Sequence, residues 1–543
     1  MNKTKIIIFL SLAVFFSILN LLRLNYIHTT ILDDAYIFLR YAENIVNGYG
    51  FVWNIHEPPV EGYTSFFYLS VLIAAKMISV DLESFAIIFG IITSTLTLYI
   101  TYLIYLHLYG NILSRKSSII FSIIILAISP AYLYWSTAGM ETSFYCMFIA
   151  LTFYSFLKLP DSTTKIFFKG ILFGLLCVLR FEAVLFFFVA IYYLVKKDNS
   201  FFQIKITKYS LLFIFGYSII FGIYFIWRWS YFGYFFPNTF YAKTGGGLHQ
   251  IFGGFLYIIK SFRLFYGFGW IPIFFVFLFF RKEMVTKQAM FLFIIGLISL
   301  LTTIFIGGDH FHLGRFVLPV LSFLFVFLPP AFERMSKTKF KYLNLKTEYR
   351  GFLISLIIAA LLITKPVYKE AANGFYNLID GKKDILEVYD VSCEEDIIDW
   401  QQGFILMGST LRQIANKDDY IAAVPIGAIG YYSKINVIDM VGIVDPVIGH
   451  KKLNDEKLKK WTPGHSKGDG KYILSRKPKY IQLTDYLTRK SREVPHRRSM
   501  QFTSVEQIWD SEEFHKDYEF YPIEVIDGWY YNLFKRKDKI AEE

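Results

Sequence analysis

Cysteine is scarce in this sequence and charge is thin. The three cysteines among 543 residues, Cys146, Cys177 and Cys393, are too few and too scattered for a disulfide framework or a thiolate metal site. Charged residues make up only 18% of the chain, while 55% are hydrophobic and 20% aromatic, and the mean hydropathy is +0.41. A water-soluble chain of this size has no room to hide so much apolar surface. Also missing are a Gly-x-x-x-x-Gly-Lys-Ser/Thr loop, a Gly-rich dinucleotide fingerprint and a His-Glu-x-x-His pair. There is no internal repeat, low-complexity tract or heptad pattern. The formal charge of +12, in so apolar a chain, points to Lys and Arg gathered in cytoplasmic loops rather than to nucleic-acid binding.

What the sequence has instead is long apolar runs, at about 6–24, 86–107, 118–134, 143–157, 166–179, 183–195, 209–228, 264–280, 288–306, 316–332 and 351–364. They predict a polytopic α-helical membrane protein with about 11 transmembrane helices. The first run follows Lys3 and Lys5 and continues through Ile18, Leu21 and Leu22 into Arg23 with no small-residue cleavage pattern, so it reads as a retained span. The stretch Tyr63–Ser79 decides the topology. If it does not cross, inner loops collect about 20 basic residues against about 9 in longer outer loops. That asymmetry favours a cytoplasmic N-terminus and an extracytoplasmic C-terminus.

From about Pro366 apolar runs shorten and charges become frequent. Tyr420–Val424, Asn436–Met440 and Tyr480–Leu483 read as strands between Gly and Pro turns. The expected division is a membrane module over 1–365, with a large first outer loop at about 25–85, and a soluble C-terminal α/β or α+β domain over 366–543.

Five polar clusters then fall on the outer face. Asp33 and Asp34 are adjacent carboxylates beside apolar surface, suited to a general base or a cation ligand, although Asp in a helix's first turn also caps it. Glu141, in Gly139-Met140-Glu141-Thr142, is a candidate for a sugar hydroxyl or a metal, or a cap on the following helix. Arg180 and Glu182 flank Phe181 between apolar runs, where an ionisable pair is costly unless it is functional or forms an internal salt bridge. Asn238 and Lys243 stand among interfacial aromatics and offer an amide and a cation to an anionic head group. Gly307 to Arg315 carries Asp309, His310, His312 and Arg315. Two imidazoles without a local third ligand are weak evidence for a metal, whereas Arg315 suits a phosphate clamp. Outer carboxylates and cations without a nucleotide cradle favour a donor already in the membrane, such as a polyprenyl-phosphate sugar.

Asp33-Asp34-Ala35-Tyr36 with Arg40-Tyr41-Ala42, Gly48 to Asn54, and Pro59-Val60-Glu61-Gly62-Tyr63-Thr64-Ser65 resemble the N-terminal signature of GT-C fold glycosyltransferases related to the terminal β-(1→2)-arabinofuranosyltransferases. Gly139 to Thr142, Pro237-Asn238-Thr239-Phe240-Tyr241-Ala242-Lys243, Gly307-Gly308-Asp309 with Gly314 to Pro319, and later Gly427 to Tyr432, Asp439 to Gly442 and Asp445-Pro446 resemble further signatures in order. Two departures are Arg180-Phe181-Glu182-Ala183 in place of Arg-Pro-Glu-Gly, and the His-rich His310-Phe311-His312.

The resemblance implies an inverting transfer from a polyprenyl-phosphate sugar to a cell-envelope glycan or glycolipid, in a bacterial cytoplasmic membrane, with Asp33 or Asp34 as base. Arg40, Arg180, Asn238, Lys243 and Arg315 are expected at the donor phosphate. Glu61, Tyr63, Glu141, Glu182, Asp309 and His312 are expected in support of the site or at the acceptor. No metal-ligand set is expected, although a divalent cation between Asp33, Asp34 and phosphate is chemically reasonable. The competing expectation is a transporter or flippase of lipid-linked sugars, for which the absent repeat is unfavourable.

Overall fold

The computed structural model describes residues 3–26, 31–114, 116–158, 162–195, 206–265, 285–311, 313–337, 400–453, 457–458, 461–484, 486–526 and 528–537. The candidate span at 351–364, nearly all of that at 264–280, Cys393 and His312 lie outside the described residues. The chain divides into two compact units. One comprises Met1–His28, Ala86–Ile226 and Gly254–Val388; the other comprises Thr29–Phe85, Trp227–Gly253 and Tyr389–Glu543.

The first unit is helical. Among the described residues, Leu82–Tyr109, Lys208–Phe232 and Lys287–Ile306 are long and apolar enough to cross a membrane. Two bent pairs, Ser117–Ala127 with Ala131–Thr137 at 61° and Leu318–Leu324 with Leu328–Met335 at 47°, have the composition of broken spans. The Thr286 hydroxyl accepts the Ala289 N–H to start Lys287–Ile306, and Gly307, at φ 91°, ends it in the left-handed region. Thr207 and Ser210 form a reciprocal capping box at the start of Lys208–Phe232. That helix crosses Thr163–Leu179 closely, with Gly170 against the Phe213 carbonyl and Gly216 against the Phe167 carbonyl. A β-carbon at either glycine would overlap backbone, so the crossing uses the small-residue packing typical of membrane helices.

The second unit contains β1 (Tyr420–Ala423), β2 (Asn436–Asp439), β3 (Tyr480–Gln482), β4 (Tyr518–Ile526) and β5 (Trp529–Arg536) in one sheet, ordered β2-β1-β3-β5-β4. The β1 strand pairs in parallel with β2 and β3, while β5 runs antiparallel to β3 and β4. A parallel α/β half is thus extended by a hairpin. Each strand expected from the sequence is present and ends one residue earlier than expected. Ile438, Met440, Ile473, Ile481, Ile508, Phe514 and Phe534 fill the core.

The helices Asp33–Val46 and Phe66–Met77 belong to this second unit. Twelve residues of helix reach about 18 Å at 1.5 Å per residue, short of a bilayer core of about 30 Å, so Phe66–Met77 cannot cross alone.

Candidate active site

In the second unit, the site begins at the first turn of helix Asp33–Val46. The Asp33 carboxylate accepts the backbone N–H of Ala428 at 2.7 Å and of Gly427 at 3.1 Å. These are the first two groups presented by the short helix Gly427–Ser433. Gly427 is needed there, because a β-carbon would overlap the Asp33 carbonyl. Burial pushes the Asp33 carboxyl up to about 7; the charges of Asp34 and Asp439 add to the rise, and the two N–H bonds oppose it. Asp34, half-buried in the same turn, has no hydrogen bond or ion pair with another described residue.

Asp439 closes the end of β2, accepting the N–H of Val441 at 2.9 Å and of Val444 at 2.8 Å. Burial raises its carboxyl to about 7 as well.

The expected donor-phosphate residue Arg40 is instead buried and spent on the protein itself. Its Nε donates to the Trp53 carbonyl at 3.0 Å, Nη1 to the Gly430 carbonyl at 2.7 Å, and Nη2 to the Ile435 carbonyl at 2.9 Å and to Asn54. The guanidinium also lies 4.4 Å from the centre of the Trp53 ring. Four hydrogen bonds and an aromatic face make it a pin between the Asp33–Val46 helix and the Gly427–Ser433 helix with the residues that follow it.

Glu61 is held by Arg228, whose Nε donates to it at 3.0 Å and whose Nη2 also bonds it, with both side chains almost fully buried. Arg228 donates further to the Phe235 carbonyl at 2.7 Å, and the Glu61 carbonyl accepts the Asn238 N–H at 3.1 Å. Tyr63, also buried, packs edge-on against Tyr41 at 5.1 Å. The Asn238 amide donates to the carbonyls of Gly442 and Ile443, both at 2.9 Å, while its buried oxygen meets no donor among the described residues. Lys243 is half-buried and has no ion pair there.

In the first unit, Glu141, Glu182, Asp309, Arg180 and Arg315 come together. Glu141 stands at the start of helix Thr142–Leu157 but does not cap it. Its carboxylate takes Arg180 Nη1 at 2.5 Å, while Arg180 Nε reaches Glu182 at 2.8 Å. Arg315 pairs with Asp309 at 2.7 Å, and Asp309 also accepts the His310 N–H at 3.0 Å. Both guanidinia lie 5.1 Å from the Phe316 ring. Glu141, Arg180, Glu182 and Arg315 line a small cleft together with Thr142, Tyr145, Thr302 and Thr303. The second oxygen of Glu141 and the Thr142 hydroxyl are buried without a hydrogen-bond partner among the described residues. Two cations held rigid by carboxylates, beside vacant polar atoms, suit an anionic group with hydroxyls attached.

The internal salt bridge considered for Arg180 and Glu182 therefore exists, with Glu141 as an additional member. Arg228, His450 and Lys467 were not singled out from the sequence, and Asp439 was named only within a signature, without a role. Arg228 carried a signal, being a lone cation at the edge of an apolar run. The described residues hold no group of three or more His, Cys, Asp or Glu spaced for a metal ion.

A helical unit with membrane-length helices, and a mixed-sheet unit locked to the chain's first acidic pair, define a membrane protein of the GT-C fold. The solved structure of ArnT from Cupriavidus metallidurans bound to undecaprenyl phosphate is similar at a TM-score of 0.56 and 10% identity, covering 100% of both chains. The same protein in the apo state gives 0.51 and 11%, over 84% of this chain and 89% of that one. Arabinofuranosyltransferase AftD from Mycobacteria gives 0.50 and 12%, over 97% of this chain and 40% of its own. At such identities the likeness is one of fold, and it is the fold the sequence signatures led us to expect. Residues 395–530 match a family described as Domain of unknown function (DUF8728). No curated protein matches the sequence.

Proposed function

We propose that the protein is a membrane glycosyltransferase that moves a sugar from a polyprenyl-phosphate carrier to a glycan or glycolipid acceptor, inverting the anomeric carbon. The observation that carries this reading is the unequal treatment of two adjacent carboxylates: Asp33 is bonded to Gly427 and Ala428, and Asp34 is left without a partner among the described residues. Asp34 is the base, and Asp33 is the positioning residue that fixes its turn.

The acceptor hydroxyl oxygen attacks the anomeric carbon while its proton passes to Asp34. The bond from that carbon to the phosphate oxygen breaks, and polyprenyl phosphate leaves with the electron pair. Within the first unit, Arg180 and Arg315, preorganised by Glu141, Glu182 and Asp309, form a cationic cleft suited to the phosphate of such a carrier. A solved structure of similar fold has undecaprenyl phosphate bound, which supports a carrier of that class. Arg40, Glu61, Tyr63 and Asn238 shape the first loop rather than touch the donor. The N-terminus is cytoplasmic and the C-terminal domain, from about residue 366, is extracytoplasmic, with about 11 spans in a bacterial cytoplasmic membrane. The test is release of polyprenyl phosphate by purified protein from a panel of polyprenyl-phosphate sugars with an envelope-glycan extract. Folded protein that releases none from any donor overturns the proposal.

A further inference from the structure

Away from the acidic pair, but within the second unit, Lys467 bonds to the helix Asn238–Lys243 that ends in Lys243, and neither lysine pairs with a carboxylate among the described residues. Lys467 is 7% exposed, and its ammonium donates to the Tyr241 carbonyl at 2.7 Å and the Gly449 carbonyl at 2.8 Å. A buried ammonium is costly unless it is paired, and two neutral carbonyls leave its charge uncompensated. Burial lowers the Lys467 ammonium to about 8, so it still carries its charge at neutral pH. Lys243 lies nearby, its side chain against Gly464. It too has no ion pair among the described residues.

Aromatic surface surrounds these cations. The His450 ring lies tilted against two tyrosine rings, 4.1 Å between centres from Tyr241 and 4.5 Å from Tyr234, and its Nε2 is buried without a hydrogen-bond partner among the described residues. The Trp461 ring covers Gly246 so closely that no β-carbon fits there. Flat aromatic faces beside hydrogen-bonding groups suit a sugar ring, and unpaired ammoniums suit an acid on it.

We infer that Lys243, Lys467 and His450, with Tyr234 and Trp461, form a subsite for an anionic group, carboxylate or phosphate, on the acceptor glycan. The acceptor is then an acidic saccharide. This rests on the transferase reading above. Asn238 links the subsite to the loop that Asp439 shapes, through its bonds to Gly442 and Ile443. Asp439 in turn acts electrostatically on Asp33.

The test uses full-length protein in zwitterionic nanodiscs, titrated with an oligogalacturonate, a size-matched neutral galactan and inorganic phosphate, followed by transfer kinetics. The acidic oligosaccharide should bind at least about tenfold tighter than the neutral one, and Lys467→Met or Lys243→Gln should remove most of that preference. Phosphate should compete with it, and the KM for the lipid donor should not move. Equal binding of the acidic and neutral sugars, or a preference retained in both variants, overturns the inference. So does a raised KM for the lipid donor alone in Lys243→Gln, which would give the cluster to the donor phosphate. If Lys467→Met fails to fold, Lys243→Gln carries the test, because that half-buried side chain has no hydrogen bond among the described residues to lose. Binding needs no turnover, so absence of the preference in the wild-type protein with donor cleavage intact counts against the subsite alone. Absence of donor cleavage counts against the transferase reading alone.

Discussion

Asp33 and Ala428, 395 positions apart in the chain, are joined by a 2.7 Å hydrogen bond from backbone N–H to carboxylate. With the Gly427 bond beside it, this contact occupies both oxygens of Asp33, the observation on which the proposal of Asp34 as base rests.

The two carboxylates should therefore separate on mutation. Asp34→Asn is expected to lower kcat by about 10²–10⁴-fold with an unchanged melting temperature. Asp33→Asn keeps one acceptor but turns an amide N–H₂ towards a backbone N–H, which costs about 1–3 kcal/mol of stability with a smaller loss of kcat. Parallel transfer assays and thermal unfolding decide it; full activity in Asp34→Asn would return the base to Asp33.

The Glu61/Arg228 pair is buried on both sides, and removing one partner strands a charge. Arg228→Met should destabilise by about 3–5 kcal/mol, and adding Glu61→Leu should recover much of that. A double-mutant cycle by chemical denaturation reads the coupling; additive losses would show that the pair is not the unit that matters.

Arg180→Gln should slow release of polyprenyl phosphate by about 10²–10³-fold, with the larger effect on kcat if the guanidinium acts mainly on the charge that develops as the phosphate leaves. An effect confined to KM would instead mean that it grips donor and transition state equally.

Lys467 gives stability a pH signature. Its ammonium sits at about 8 in the folded chain against an ordinary 10.5, so between those values the unfolded chain holds the extra proton. Stability should consequently rise with pH across that window. Lys467→Met should flatten the rise in melting temperature between pH 8 and 10; an identical slope in both proteins would remove Lys467 as its source.

The β1, β2 and β3 strands were legible because they are short β-branched or aliphatic runs between turn residues. The hairpin of β4 and β5 was not. Glu519, Glu524, Lys535 and Arg536 dilute its apolar pattern, and Pro522 argues against a strand interior. At the site, the acidic pair and the paired arginines could be read locally, since charge beside apolar runs demands a reason. The role of Arg40 could not, because two of its acceptors, the carbonyls of Gly430 and Ile435, lie 390 and 395 residues away. Lys467 escaped notice because it stands in a segment of ordinary polarity, and only folding removes it from water.

The bond between Asp33 and Gly427 spans 394 residues, which sets an order of events during synthesis. At translation rates of about 5–20 residues per second, the segment carrying Asp33 and Asp34 emerges roughly 20–80 s before its partner exists. Throughout that interval the acidic turn lacks the backbone groups that hold it, so on the transferase reading a nascent or truncated chain ending before Gly427 should be inert. On the transferase reading, the base is set only once residues up to Ala428 are made, and a half-finished chain cannot consume lipid carrier.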